Sequence, residues 1–258
     1  MTDMIGIMLL PFWGTALGSL LVFLPRRLQS RSAERILTGF AAGVMVAASI
    51  WSLIIPALEQ TEALGKWSFL PAVTGIWAGF GFLLLLDHLL PHIHRTGQIE
   101  GLPSRLGSTA MLVLAVTLHN LPEGIAVGTA AAGFRMGEGS VSFSALLSLS
   151  IGIALQNIPE GAIISLPLHS TGMSRRRSFG IGILSGVVEP VGSILTLLMA
   201  SIMAPILPVL LCFAAGAMLY VVAESLIPEM QDGRHSDMGI IAFCAGFTVM
   251  MGLDVALG

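Results

Sequence analysis

Long stretches without a single charged side chain constrain this sequence more than any other feature. From Ile5 to Leu24 no Asp, Glu, Lys or Arg occurs over 20 positions. A helix of that length rises about 1.5 Å per residue and crosses a hydrocarbon layer of about 30 Å. The chain is 55% hydrophobic and only 10% charged, a composition that excludes an ordinary water-soluble surface. We therefore predict a membrane protein.

Similar apolar runs follow along the whole chain and predict an all-α, polytopic membrane protein of one domain, residues 1–258. The eight predicted spans are 5–24, 36–55, 67–86, 107–132, 141–168, 178–203, 205–227 and 239–257. Each is long enough for a transmembrane helix. The first run is too long for the apolar region of a signal peptide, and no basic residue precedes it, so we expect it to stay in the protein.

The basic residues are distributed unevenly between the predicted loops. Ten of the 12 Lys and Arg residues follow spans one, three, five or seven, and only Lys66 and Arg135 lie in the other loops. Cytoplasmic loops are enriched in Lys and Arg. We therefore expect a multi-pass protein of the cell (inner) membrane with both termini outside the cytoplasm. The net charge of −3 argues against nucleic acid as a partner.

The apolar sequence contains an internal repeat. Short motifs recur at matching positions: 40–43 as 213–216, Ser52 as Ser225, 78–80 as 245–247, Asp87 as Asp254, and 18–19 as 192–193. An odd number of helices separates the two copies, so spans one to three and spans six to eight cross the bilayer in opposite senses. This is the inverted-repeat plan of secondary transporters, and it predicts a 3+2+3 arrangement. Chance matching of Gly and Ala in apolar helices is the alternative.

Acidic residues occur in the predicted spans, whereas basic residues do not. The acids inside a span or at its edge are Asp87, Glu123, Glu160, Glu189, Glu224 and Asp254. An ionised carboxylate at the bilayer centre costs about 2.5–3.5 kcal/mol on insertion scales. Bound protons or a bound cation must therefore supply the positive charge. Asp87, Glu224 and Asp254 lie nearer span ends, where we expect water to solvate them.

The pattern x-N-x-P-E-G occurs twice, at 119–124 in span four and at 156–161 in span five. Spacings of three and four residues place the polar members of each motif on one helix face. The internal proline of each motif removes a backbone hydrogen bond and frees a carbonyl oxygen, and the final glycine permits close approach of another helix. Two polar faces are thus predicted to oppose each other inside the membrane.

The side chains of these two faces form a mixed nitrogen and oxygen ligand set, which suits a divalent first-row cation. The predicted metal ligands are His119, Asn120, Glu123, Gln156, Asn157, Glu160 and Glu189, with Met45 as a thioether candidate. For the histidine and the amides the alternative is a hydrogen bond between helices, and for Met45 it is apolar packing. Asp87, His88, His92 and His94 form a looser cluster at the cytoplasmic end of span three, which either receives ions that leave the membrane or is simply solvated.

With both motifs in adjacent spans and eight spans in all, the chain resembles the ZIP (Zrt/Irt-like) family of divalent metal transporters, of the bacterial type. The resemblance implies uptake of Zn²⁺ into the cytoplasm as the transported substrate, with Fe²⁺, Mn²⁺, Co²⁺ or Cd²⁺ as substitutes. It also implies a binuclear midmembrane site and a possible homodimer in the lipid bilayer. Spans one, four, five and six are expected to move against the other four.

The resemblance also implies how the ligands divide between two ions. One ion would be held by His119, Glu123, Gln156 and Glu160, with Met45 as a possible further contact. The second would be held by Asn120, Asn157 and Glu189 and bridged by Glu123 and Glu160, and the ions would leave toward Asp87, His88 and Glu224. Many members have His in place of Gln156 and some have Asp in place of Asn157, so this chain has one weaker ligand and one charge fewer.

Two other functions use the same residues. A metal-selective channel would have these ligands as a selectivity site without alternating access. An intramembrane metalloenzyme, such as a zinc protease, needs a general base beside its metal, and the sequence has no H-E-x-x-H motif. We therefore expect a transporter and not an enzyme.

Overall fold

The computed structural model describes residues 2–24, 30–93, 99–100, 107–137, 141–231 and 237–257. Within them, eight helices are long and apolar enough to cross a membrane, which confirms the predicted all-α polytopic fold. They are α1 (Asp3–Phe23), α2 (Ser32–Glu59), α3 (Phe69–Leu89), α4 (Thr109–Met136), α5 (Phe143–Ser170), α6 (Arg175–Leu198), α7 (Leu207–Gln231) and α8 (Met238–Leu257). Two short antiparallel strands, β1 (His92–Ile93) and β2 (Ile99–Glu100), lie between α3 and α4.

Several helices extend beyond the apolar runs that predict them. Helix α2 ends at Glu59 rather than at residue 55, α4 ends at Met136, and α6 begins at Arg175. Hydropathy marks only the part of a helix at hydrocarbon depth, whereas backbone hydrogen bonding continues into the head-group region. Charged side chains such as Arg135 occupy the terminal turns, from which they reach water.

Some spans are broken or distorted along their length. Helix α1 is interrupted at Leu9, and α6 at Val187. Helices α2 and α7 each contain a π-helical segment, Ser49–Ile54 and Val222–Leu226, shortly before a proline. A proline lacks the N–H that the preceding turn needs, and π-helical segments are frequent at functional sites. Short helical segments connect or extend the spans: 3-10 turns at Glu62–Trp67 and Ala204–Ile206, and an α-helical turn at Ala200–Met203.

The eight helices pack mainly in four pairs. Helix α2 lies along α8, α3 along α7, α1 along α5, and α4 along α6, while α2 also touches α5 and α4 also touches α7. The predicted repeat relates α1 to α6, α2 to α7, α3 to α8 and α4 to α5. When each helix is replaced by its counterpart, the contact of α2 with α8 becomes that of α7 with α3, and the other contacts interchange in the same way. The pattern of contacts therefore favours the predicted inverted repeat.

Glycines at matching positions of the two predicted copies make matching contacts. A Cβ atom on Gly43 would overlap the carbonyl oxygen of Phe243, and one on Gly216 would overlap that of Ile76. A Cβ atom on Gly79 would likewise overlap the carbonyl oxygen of Phe213, and one on Gly246 would overlap that of Phe40. Small residues let membrane helices approach backbone to backbone. These contacts support the inverted repeat, which stays a prediction.

Candidate metal centre

Three carboxylates lie buried where α4, α5 and α6 meet. The side chains of Glu123, Glu160 and Glu189 are 0%, 5% and 1% exposed, and they lie near enough to repel one another electrostatically. The motif glycines allow this convergence, as predicted: Gly124 lies against the backbone of Glu189, and Gly161 lies against α1. Three helices thus bring acidic side chains into the same buried region of the protein.

The amide nitrogens around these carboxylates all donate hydrogen bonds. Gln156 Nε2 donates to Glu123 Oε1 over 2.8 Å, and Asn120 Nδ2 donates to Glu189 Oε1 over 2.8 Å. Asn157 Nδ2 donates to the carbonyl oxygen of Pro11 in α1 over 3.4 Å. Because the donors are used in this way, each amide is oriented with its oxygen away from its partner.

Most acceptor oxygens of the same side chains, by contrast, receive no hydrogen bond. Seven buried oxygens of these carboxylates and amides have no hydrogen-bond partner in the described structure: Asn120 Oδ1, Glu123 Oε2, Gln156 Oε1, Asn157 Oδ1, Glu160 Oε1, Glu160 Oε2 and Glu189 Oε2. No Lys or Arg side chain is buried among the described residues. Buried oxygens without donors are costly, and a bound cation would satisfy them. The chemistry of this cluster therefore fits a divalent ion with oxygen ligands.

The predicted histidine ligand faces another helix. His119 Nε2 lies 3.4 Å from Ser225 Oγ of α7, and the Ser225 hydroxyl donates to the carboxylate of Glu224. Among the described residues, no three His, Cys, Asp or Glu side chains are already gathered around one point. Three of the seven cluster oxygens without partners come from amides.

The motif residues of α4 thus divide between three neighbours. Asn120 bonds to α6, Glu123 to α5, and His119 lies beside α7. The spacing argument placed them on one face, and that face is broad enough to contact all three helices. The structure brings together Asn120, Glu123, Gln156, Asn157, Glu160 and Glu189, with His119 at the edge of the group.

The acids nearer the span ends are less exposed than we expected. Asp87 and Asp254 are each 8% exposed, so the expectation that water solvates them is wrong, whereas Glu224 is half-buried. The reason is that neighbouring helices supply hydroxyl donors. Tyr220 donates to Asp87 over 2.8 Å.

At the opposite end of the molecule, two helices supply hydroxyls to Asp254. Ser52 of α2 donates to it over 2.9 Å, and Ser148 of α5 donates over 2.8 Å. Asp254 therefore links α2, α5 and α8. Sequence reasoning singled out neither Ser148 nor this link.

For the remaining predicted residues, the described structure shows no hydrogen bond to the buried carboxylates. His88 is exposed, and its Nδ1 lies 2.8 Å from the carbonyl oxygen of Leu84 in its own helix. The side chain of His92 lies outside the described part of the structure. Met45 is fully buried in the main apolar core, so its role as a thioether ligand stays a prediction.

Sequence reasoning missed several polar side chains around the carboxylates. Thr15 donates to Glu189, and Glu229, near the end of α7, is close enough to Glu160 to repel it. No pattern in the sequence distinguishes a hydroxyl that bonds within its own helix from one that bonds to another. The one available signal was the recurrence of Ser52 as Ser225, since both serines contact acidic residues.

Comparison with known proteins gives consistent matches over most of the chain. The family described as "ZIP Zinc transporter" matches residues 94–254. Among curated relatives, the human (Homo sapiens) zinc transporter ZIP11 is 35% identical, with 95% of each chain covered. The zinc transporter GufA of Myxococcus xanthus is 37% identical over 95% of this chain and 94% of its own length. The zinc transporter ZIPB of Bordetella bronchiseptica is 37% identical over 96% of this chain and 79% of its own.

Proposed function

The chain belongs to the ZIP family of zinc transporters, and on that premise we propose that it imports zinc into the cytoplasm through a binuclear site between α4, α5 and α6. The observation that carries this proposal is the set of seven buried carboxylate and amide oxygens without hydrogen-bond partners in this cluster. The described structure holds no buried Lys or Arg that could neutralise the carboxylates. A divalent ion supplies that charge and the missing partners together.

We propose that two ions share the centre. Glu123 and Gln156 are already hydrogen-bonded to each other, which supports placing them at one ion with His119 and Glu160. Asn120 and Glu189 are likewise bonded, which supports placing them at the other ion with Asn157. Glu123 and Glu160 would bridge the two. On the resemblance to the family, Cd²⁺, Fe²⁺, Mn²⁺ and Co²⁺ are proposed as substitutes at the same ligands.

The proposed route leads from outside to the cytoplasm past these ligands. An ion exchanges its water for the cluster and leaves along His119, Ser225 and Glu224 toward Asp87, where His88 and His92 lie nearby in sequence. The contacts that join His119, Ser225 and Glu224 support this route. We also propose that both termini lie outside the cytoplasm and that the protein forms a homodimer in the bilayer.

The proposed movement is a displacement of one group of helices against another. The tight pairs α1 with α5 and α4 with α6 would move as one group, and α2 with α8 and α3 with α7 as the other. Since the carboxylates lie on α4, α5 and α6, the ions would travel with the first group.

Counterflow distinguishes this carrier from a channel. We expect uptake of radiolabelled zinc into proteoliposomes to saturate with concentration, and to accelerate when unlabelled zinc is loaded inside, because a carrier exchanges ions across the membrane one loaded site at a time. Liposomes without protein, and zinc held by a chelator, are the controls. Uptake that rises linearly and ignores the internal zinc would support a channel, and absence of uptake would contradict transport altogether.

A further inference from the structure

Thr15 is the residue through which α1 donates a side-chain hydrogen bond to the acidic cluster. Its Oγ1 donates to Glu189 Oε1 over 2.9 Å, and the side chain is 0% exposed. Neighbouring helices hold it closely, because Gly161 of α5 lies against the Thr15 carbonyl oxygen and Gly186 of α6 lies against the Thr15 side chain. The hydroxyl therefore has a well-defined position beside Glu189.

This hydrogen bond differs from those of most other threonines in the described structure. A threonine inside a helix often donates to a backbone carbonyl three or four residues earlier. Threonines with such a bond here are Thr61, Thr74, Thr117, Thr129, Thr171, Thr196 and Thr248. Thr15 instead donates to a carboxylate on another helix. Helix packing, rather than local preference, thus determines where its hydroxyl points.

The two oxygens of Glu189 are used differently. Oε1 accepts from both Thr15, over 2.9 Å, and Asn120, over 2.8 Å. Oε2 is buried and has no partner. Two donors on Oε1 restrict rotation of the carboxylate, and Oε2 is left without a donor. Hydrogen bonds of this kind to a ligating carboxylate orient it and tune metal affinity.

We propose that Thr15 is a positioning residue for the second metal ion, because it holds Glu189 so that Oε2 is presented to that ion. This inference rests on the proposed function, since it requires an ion at Glu189. Without the hydroxyl the carboxylate gains rotational freedom, and we expect the second ion to bind about tenfold more weakly. The ion at Glu123 and Gln156 should be retained.

Two substitutions separate the hydroxyl of Thr15 from its shape. Thr15→Val keeps the branched shape and loses the hydroxyl, whereas Thr15→Ser keeps the hydroxyl and loses the methyl group. The purified full-length protein is titrated with Cd²⁺ in a calorimeter, which gives the number of ions and both dissociation constants, and the melting temperature of each variant is recorded. We expect Thr15→Val to weaken only the second ion and Thr15→Ser to bind like the wild type.

A double mutant tests whether Thr15 acts through Glu189. In a Glu189→Gln background, Thr15→Val should cause no further weakening. Equal weakening by Val and Ser would assign Thr15 to packing and overturn the proposal. So would unchanged binding in Thr15→Val, an additive loss in the double mutant, or a wild type that binds a single ion. Failure of the proposed function itself would look different, since the wild type would then neither bind Cd²⁺ nor transport zinc.

Discussion

Replacing Glu123 with glutamine should lower the initial rate of zinc uptake into proteoliposomes by about 100-fold. Loss of a residue that merely supports a metal ligand already costs about 10–100-fold in affinity or activity, and Glu123 is proposed to contact both ions directly. Glutamine has nearly the same shape, and its oxygen still accepts the hydrogen bond that Gln156 now donates to Glu123. The substitution therefore removes the negative charge and leaves no cavity at position 123.

A matched control is available at the end of α2. Glu59→Gln removes the same charge from an exposed position, where water solvates the side chain, so its uptake should equal that of the wild type. Glu160→Gln should behave like Glu123→Gln, because neither Glu160 oxygen has a partner in the described structure. If Glu123→Gln or Glu160→Gln transported like its parent, the assignment of the carboxylates would be wrong.

Gly79→Ala should destabilise the folded protein by about 1–3 kcal/mol, which is the usual cost of overpacking. A Cβ atom at Gly79 meets the backbone of Phe213 in α7, which no side-chain rotation relieves. Gly81→Ala lies two residues further along the same helix, where nothing lies within 4 Å of the added atom. We expect the melting temperature in detergent to fall by several degrees for Gly79→Ala and not to fall for Gly81→Ala.

The predicted repeat extends this test to the other copy. Gly246→Ala in α8 meets the backbone of Phe40, whereas Gly252→Ala meets nothing within 4 Å. The inverted repeat predicts similar losses for Gly79→Ala and Gly246→Ala. A melting temperature that falls for neither would contradict the close packing of α3 on α7 and of α2 on α8.

The sequence predicted those features that depend on local composition and spacing. Uncharged runs identify eight spans, because an apolar helix satisfies its own backbone hydrogen bonds at hydrocarbon depth, and the eight helices are confirmed. The duplicated motif predicted Glu123, Glu160 and their amide neighbours as ligands, since helical spacing alone puts the polar members of each motif on one face of its helix. The helix ends were less accurate, because helix α2 (Ser32–Glu59) continues where hydropathy has already fallen.

The features that the sequence did not reveal depend on contacts between distant helices. Nothing in the surroundings of Thr15 in the sequence indicates that its hydroxyl bonds to Glu189, 174 positions away. Asp254 lies near the end of a span, where solvation is the ordinary expectation. It is nevertheless buried, and hydroxyls of α2 and α5 donate hydrogen bonds to it. In both cases the packing of distant helices against one another, rather than any local pattern, determines the partner.

Crystals grown with Cd²⁺ or Zn²⁺ provide the most direct test of the central claim, that uncompensated buried oxygens in α4, α5 and α6 are satisfied by a metal ion. Anomalous diffraction should then show metal density between α4 and α5, within bonding distance of Glu123 and Glu160, with a second peak beside Glu189. Crystals without metal density there, in which these glutamates are hydrogen-bonded to each other, would contradict it.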